Sequence, residues 1–345
     1  MIPSGIIPEL FKQRYERQEK LAVWGENGQK RLAQSHAVIV GCGALGTVQA
    51  EALVRAGIGS ISLIDRDFVE PGNLHRQFLF SEQDALDSTP KALAAATRLR
   101  MLNSSVRVQP EVADLEPRNI RDLCADASVI LDATDNFETR YLINDYAVET
   151  GTPWIYGGAV STYGLTITVL PGETACFRCI YPDPPSGAQP TCETQGVLST
   201  VTMLIAILQV TEALKLLSGN KAALRNTVYT ADVWTNAARE SPLPNRDPEC
   251  PTCGHRVFDW LDGRHRSPVS LCGRNAVQIH GERPVNLSGL AQSLETLGTV
   301  RLNSFALKFF RDPYELTVFP DGRAIVKGTT DPGVARSLYA RYLGQ

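Results

Sequence analysis

Gly41, Gly43 and Gly46 stand in the spacing G-x-G-x-x-G, directly after the apolar run HAVIV and before the helical periodicity of TVQAEALVRAGIG. Few features constrain a fold so narrowly. The strand must end in a tight turn and a helix must start at once, with its free N–H groups and positive dipole end facing outward. Glycines there let the main chain approach a phosphate, so a nucleotide-binding fold is expected. SISLIDRD reads as the next strand, and Asp65 at its end can accept hydrogen bonds from ribose hydroxyls. Alone, this arrangement suits a nicotinamide dehydrogenase at least as well as an ATP enzyme.

The alternation continues along the chain. Thr89-Pro90 opens a helix, with threonine as the cap and proline as the first helical residue. VRVQPEV and SVILDAT read as strands, and FETRYLINDYAVETG as an amphipathic helix stopped by Gly151. Strands and helices alternate through residues 36–155, which predicts an α/β fold: a Rossmann-like mixed or parallel sheet with helices on both faces. WIYGGAVSTYGLTITVL adds two strands. Gln13–Leu32 is polar, its apolar residues too scattered for a core helix. Pro182–Pro190 and SPLPNRDPECPTCG read as loops. The tail from Ser267 has its own rhythm: strand AVQIHG, helix LSGLAQSLETLG, strands in LTVFPDGRAIVKG around an Asp-Gly turn, and helix PGVARSLYARYL. Two domains are expected, residues 1–262 and a small α+β domain over 267–345.

Composition narrows the function. A net charge of −3 gives no electrostatic reason to expect nucleic acid or an anionic membrane. No basic start followed by an apolar run marks a leader, and the apolar stretch Val197–Leu217 carries Gln209, Glu212 and Lys215, as a buried helix rather than a membrane span would. Four of the eight cysteines form C-x-x-C pairs, Cys176/Cys179 and Cys250/Cys253. Such pairs read as the four thiolate ligands of one zinc site in a cytoplasmic protein before they read as disulfides or a redox dithiol.

The residues beyond Asp65 tip the balance away from a dehydrogenase. The run continues through Asp67 to Asn73, Arg76 and Gln77, with Lys91 downstream. Cationic and amide donors there suit a triphosphate. Asp135 comes after the strand VILDAT, at the carboxyl end of the sheet, where an aspartate can hold Mg²⁺ against phosphates. Asp132, earlier in the strand, fits a helix-capping role better. Cys192 stands alone after the Pro/Gly-rich loop and before the apolar helix, where exposure and a helix N-terminus suit a nucleophilic thiol. Cys42 and Cys124 read as packing residues.

R-Y-x-R-Q (Arg14 to Gln18), the glycine loop, D-x-D, N-L-x-R-Q, Lys91, D-A-T-D-N and the paired C-x-x-C motifs stand in an order that resembles the ThiF/MoeB/HesA family, over roughly residues 11–258. The resemblance implies ATP-dependent adenylylation of the Gly-Gly carboxylate of a ubiquitin-like sulfur carrier, serving thiamine or molybdopterin synthesis, with pyrophosphate released. It implies ribose binding by Asp65, phosphate binding by Arg76 and Lys91, Mg²⁺ binding by Asp135, and a homodimer in which Arg17 reaches the partner's active site. It places Cys192 in sulfur transfer after adenylylation, with a cysteine desulfurase or rhodanese as a possible sulfur donor. Cys272-Gly273-Arg274-Asn275 resembles a rhodanese loop only faintly, and a tail of this length is too short for that fold. The competing readings are an NAD-dependent oxidoreductase, a non-catalytic nucleotide-binding subunit, and a tRNA-modifying dehydratase of the same superfamily.

Overall fold

A computed structural model of the chain describes residues 13–184, 191–264, 270–271, 275–279, 281, 283–303 and 305–344. They fall into two compact units, one drawn from Met1–Pro184 and Val197–Arg264, the other from Pro185–Gly196 and His265–Gln345.

The first unit is built on strands β1 (His36–Val40), β2 (Ser60–Ile64), β3 (Arg107–Glu111), β4 (Val129–Asp132), β5 (Trp154–Val160), β6 (Tyr163–Val169), β7 (Thr227–Asp232) and β8 (Ala237–Pro242). Their order in the sheet is β3-β2-β1-β4-β5-β6-β7-β8. The neighbours from β3 to β5 run parallel, and the steps from β5 to β8 are antiparallel. This is the mixed sheet expected. Because β1 is buried on both faces, it reads as an unbroken apolar run. Ala37 and Ile39 face helices Ala44–Ala56, Lys91–Leu102 and Ser199–Leu217. Val38 and Val40 face helix Phe137–Thr150 and an aromatic cluster that includes Trp154, Tyr156 and Phe177. Helix Ser199–Leu217 is long and apolar enough to cross a membrane. Here it lies on the sheet, with Val201, Ile205, Gln209 and Glu212 buried.

Several local expectations need correction. Helix Lys91–Leu102 is capped by Pro90, one residue later than expected. Pro90 is extended and bridges Phe68, while the Lys91 N–H donates to the Asp67 carbonyl, so both are tied to the neighbouring segment before the helix begins. Helix Phe137–Thr150 does end at Gly151, in the left-handed region at φ 79°, yet it is not amphipathic in place. Arg140 to Val148 are all buried, since the sheet covers one side and the 250–261 segment the other. Gln13–Leu32 forms two short helices, Glu16–Glu19 and Gly25–Leu32, and the second buries Leu32 completely. The SPLPNRDPECPTCG segment begins in β8, an edge strand exposed along its whole length, which no apolar alternation marks.

In the second unit, β9 (Ser270–Leu271), β10 (Ala276–Ile279), β11 (Thr299–Leu302), β12 (Leu307–Arg311), β13 (Tyr314–Val318) and β14 (Ala324–Lys327) form an antiparallel sheet in the order β11-β12-β13-β14-β10-β9. Helices Leu287–Leu294 and Pro332–Leu343 bury Leu287, Leu294, Tyr339 and Tyr342 against it. Both helices and β10, β13 and β14 were legible. β11 and β12 were not, because Arg301, Lys308 and Arg311 interrupt their apolar positions. Residues 272–274 of the Cys272–Asn275 run and 185–190 of the Pro-rich loop lie outside the described residues.

Candidate active site

The carboxyl ends of β1, β2 and β4 meet at the point where strand order reverses, the usual place for a ligand in an open α/β sheet. Gly41 leaves β1 at φ +97°, a conformation that only glycine adopts cheaply, and its N–H donates to the Ile64 carbonyl. A Cβ on Gly46 would fall 1.8 Å from the Gly41 carbonyl oxygen, so the helix start is pressed onto the turn. Gly43 differs. A Cβ there meets nothing nearer than Gln77 Nε2 at 3.9 Å, and no side chain caps the helix it begins. The first N–H groups of Ala44–Ala56 therefore face open space with the positive end of the helix dipole behind them.

Asp65 locks this turn. Its Oδ2 accepts the Cys42 N–H at 2.6 Å and its Oδ1 accepts the Asp67 N–H at 2.6 Å. Burial pushes its carboxyl up, against the pull of Lys91. Each oxygen keeps a further lone pair, so a ribose contact remains compatible with the turn-locking role. Asp67, expected to bind the nucleotide, pairs with Lys91 at 3.2 Å and holds that buried ammonium in place. Arg66 pairs with Asp114 at 2.6 Å. On the following turn, Arg76 donates to the Gly72 carbonyl at 2.8 Å and to Asn73 Oδ1 at 3.1 Å. Gln77 is 4% exposed, and its Oε1 has no hydrogen-bond partner among the described residues. A buried amide oxygen without a donor costs about 1–3 kcal/mol unless something else satisfies it.

At the end of β4 the two aspartates differ in their surroundings. Asp132 is fully buried: its Oδ1 accepts from the Thr134 N–H and hydroxyl at 2.9 and 2.6 Å, and its Oδ2 accepts from Arg140 Nε at 3.1 Å. Burial pushes its carboxyl up while Arg140 and Thr134 pull it down. Asp135 is exposed beyond the strand. The capping residue of helix Phe137–Thr150 is neither aspartate but Asn136, which accepts from the Thr139 N–H at 2.8 Å. With Asp132 consumed, Asp135 is the β4 carboxylate suited to a hard cation such as Mg²⁺.

The four C-x-x-C sulfurs converge. Cys176 Sγ lies 3.8 Å from Cys179 Sγ and 3.6 Å from Cys250 Sγ, Cys179 Sγ lies 3.4 Å from Cys253 Sγ, and all four fall within 4.8 Å of one another. Tetrahedral Zn–S bonds of about 2.3 Å put sulfurs about 3.8 Å apart, so the donor set fits zinc. Burial and the neighbouring sulfurs push the Cys176 thiol far up, a penalty that a bound dication reverses. Asp145 fastens this knuckle to the first unit. Its carboxylate accepts from the Thr252 hydroxyl at 2.9 Å and the Trp260 N–H at 3.0 Å, and burial raises its pKa to about 6.

Residues 15–252 match the ThiF family. The chain belongs to that family. It is 43% identical over 336 residues to the sulfur carrier protein ThiS adenylyltransferase of Bacillus subtilis (strain 168), covering 96% of this chain and 99% of that protein. It is 38% identical over 247 residues to the sulfur carrier protein adenylyltransferase of Thermus thermophilus, covering 70% and 90% respectively. A crystal structure of E. coli MccB with ATP shares the fold at a TM-score of 0.61 and 24% identity, covering 70% of this chain and 75% of that one. The match to the Bacillus relative takes in the tail, which lies beyond the motifs that carry the family resemblance. Nothing in these relatives favours the NAD-dependent oxidoreductase.

Within this ThiF-family site, the structure assembles Gly41, Gly43, Gly46, Asp65, Asp67, Asn73, Arg76, Gln77, Lys91 and Asp135 around the ends of three adjacent strands. It leaves Arg17 apart. Tyr15 and Gln18 dock the R-Y-x-R-Q segment on the far end of helix Ala44–Ala56, through Asn103 and the Ala56 carbonyl, and Arg17 points outward from it, exposed. Its side chain makes no hydrogen bond or ion pair among the described residues. Cys192 begins its own four-residue turn, Cys192–Gln195, capped by Thr191 and separated from helix Ser199–Leu217 by Gly196–Leu198. Contrary to expectation it does not lead the long helix, and the segment that carries it belongs to the second unit. Sequence reasoning also missed Arg140, whose position inside the apolar run of helix Phe137–Thr150 was the available signal.

Proposed function

We propose that this chain transfers the adenylyl group of ATP to the C-terminal carboxylate of a ubiquitin-like sulfur-carrier protein ending in Gly-Gly, releasing pyrophosphate, in thiamine or molybdopterin synthesis. The observation that carries the reading is the 43% identity, almost end to end, with the Bacillus ThiS adenylyltransferase.

The residues supply a coherent chemistry. A carboxylate is a weak nucleophile and is repelled by a triphosphate, so the site must neutralise charge and align the reactants rather than remove a proton. The N–H groups at the open N-terminus of helix Ala44–Ala56 donate to phosphate oxygens across Gly43, and Asp65 holds that turn rigid while receiving the ribose. Arg76 and Lys91 offset the developing charge, and Asn73 and Asp67 hold them in position until the nucleotide arrives. Gln77 lies beside Gly43 and directs its amide toward the bound nucleotide. Asp135 would hold Mg²⁺, which would offset the charge of the phosphates. Cys176, Cys179, Cys250 and Cys253 would hold a structural Zn²⁺ that fastens the end of the first unit to its middle. A second copy of the chain completes each site with Arg17, and Cys192 takes part in sulfur transfer after adenylylation, with a cysteine desulfurase or rhodanese as donor.

The test is mass spectrometry of a Gly-Gly-tailed carrier incubated with the enzyme, ATP and Mg²⁺. The carrier gains one adenylyl mass at its C-terminus. A carrier whose mass never changes, with ATP intact, removes the proposal.

A further inference from the structure

We propose that Arg140 and Gln209 form a two-sided wedge between β4 and β5, and that Arg140 is a positioning residue which sets the Asp135 carboxylate; this rests on the adenylylation reading above. Paired residues in the β4–β5 ladder end at Leu131 and Ile155, after which the two strands diverge. On one face, Gln209 Nε2 donates to the Asp132 carbonyl at 2.8 Å and to the Ile155 carbonyl at 3.0 Å. Gln49 Nε2 donates to Gln209 Oε1 at 2.7 Å, and both amides are fully buried. A Cβ on Gly157 would lie 2.3 Å from Gln209 Oε1, so β5 needs a glycine there to admit the amide.

Arg140 works from the opposite face. Its guanidinium donates to Asp132 Oδ2 at 3.1 Å and to the Thr134 carbonyl at 2.6 Å, and reaches the Gly157 carbonyl at 3.5 Å. The rings of Phe137 and Tyr156 confine it, 5.3 and 4.9 Å from their centroids. The Thr134 carbonyl belongs to the peptide that leads into Asp135. The planar fork therefore joins the last residue of β4, the turn beyond it and the neighbouring strand in one rigid unit. A lysine keeps the charge beside Asp132 but cannot reach all three acceptors at once. The connection from β4 to helix Phe137–Thr150 spans residues 133–136, and without the Arg140 bond its main chain at Thr134 and Asp135 is less fixed, so a cation bound through Asp135 loses affinity.

The probe is Mn²⁺ binding to the full-length enzyme with ATP and no carrier, followed by the electron paramagnetic resonance of free Mn²⁺. Arg140→Lys weakens Mn²⁺ by about tenfold, the scale typical when the support of a metal ligand is removed. ATP affinity measured in EDTA stays at the wild-type value. Thr134→Val, which removes only the hydroxyl bond to Asp132, weakens Mn²⁺ in the same direction and serves if the lysine variant does not fold. Variants that melt earlier yet hold Mn²⁺ like wild type would show a merely structural role and overturn the inference. Wild-type enzyme that binds neither ATP nor Mn²⁺ would instead bring down the adenylylation reading, and the wedge with it.

Discussion

Adding one methyl group at each of two glycines separates folding from nucleotide binding. At Gly46 the new Cβ would sit 1.8 Å from the Gly41 carbonyl oxygen, a main-chain atom that cannot rotate away. Overpacking against backbone costs about 3 kcal/mol or more, and in a unit of this size that lowers the melting temperature by roughly 6–12 °C. At Gly43 the same methyl has 3.9 Å of clearance, and φ is −85° with ψ −149°, at the edge of extended space. A small backbone strain there is offset by the reduced entropy of the unfolded chain, so stability changes by less than about 1 kcal/mol. The methyl nevertheless projects into the space before the helix N-terminus. Keeping phosphate oxygens off those N–H groups should weaken ATP by ~100-fold, about 2.7 kcal/mol. Differential scanning fluorimetry and calorimetric ATP titration of both variants provide the test. Gly43→Ala binding ATP at wild-type affinity, or Gly46→Ala melting like wild type, would refute the reasoning.

Other parts of the structure give further expected outcomes. Cys253→Ser should lose stoichiometric zinc by elemental analysis and melt roughly 4–8 °C lower, the effect of losing about 2 kcal/mol. Burial raises Asp145 from 3.8 to about 6, so the native state binds its proton more tightly than the unfolded chain does. Its contribution to stability is full below about pH 4 and falls as pH rises through about 6, by roughly 3 kcal/mol in all. Urea titrations at pH 5 and 7.5 should show that part of the pH dependence in wild type and lose it in Asp145→Asn. Arg17→Ala and Asp135→Ala should each abolish carrier-dependent turnover. Mixed one to one after dissociation and reassociation, they should recover about a quarter of wild-type activity, because half the dimers then carry one intact site. No recovery would remove Arg17 from the partner's site.

Much of the site was legible because its chemistry is carried by short contiguous motifs. G-x-G-x-x-G, N-L-x-R-Q and D-A-T-D-N each come after a strand, and three adjacent parallel strands bring their ends together. The four clustered cysteines were legible as two pairs by spacing, although the fold alone brings 176–179 and 250–253 into contact. What escaped depends on tertiary surroundings. Arg140, Gln49 and Gln209 look like ordinary helical residues until the divergence of β4 and β5 gives them carbonyls to bind. Asp67 carries a motif position, yet its role is set by Lys91, well downstream in the chain. β8 and β11 escaped because edge strands exposed to water need no alternating apolar face, and β12 because Lys308 and Arg311 interrupt its apolar positions.

The central claim is tested most directly by exchange of labelled pyrophosphate into ATP with the purified enzyme, Mg²⁺ and a sulfur carrier. Label enters ATP only when the carrier is present with its terminal glycine intact, and not with Asp135→Ala enzyme. Exchange that proceeds equally well with a carrier lacking that glycine, or without any carrier, would contradict a site that joins a protein carboxylate to the first phosphate of ATP.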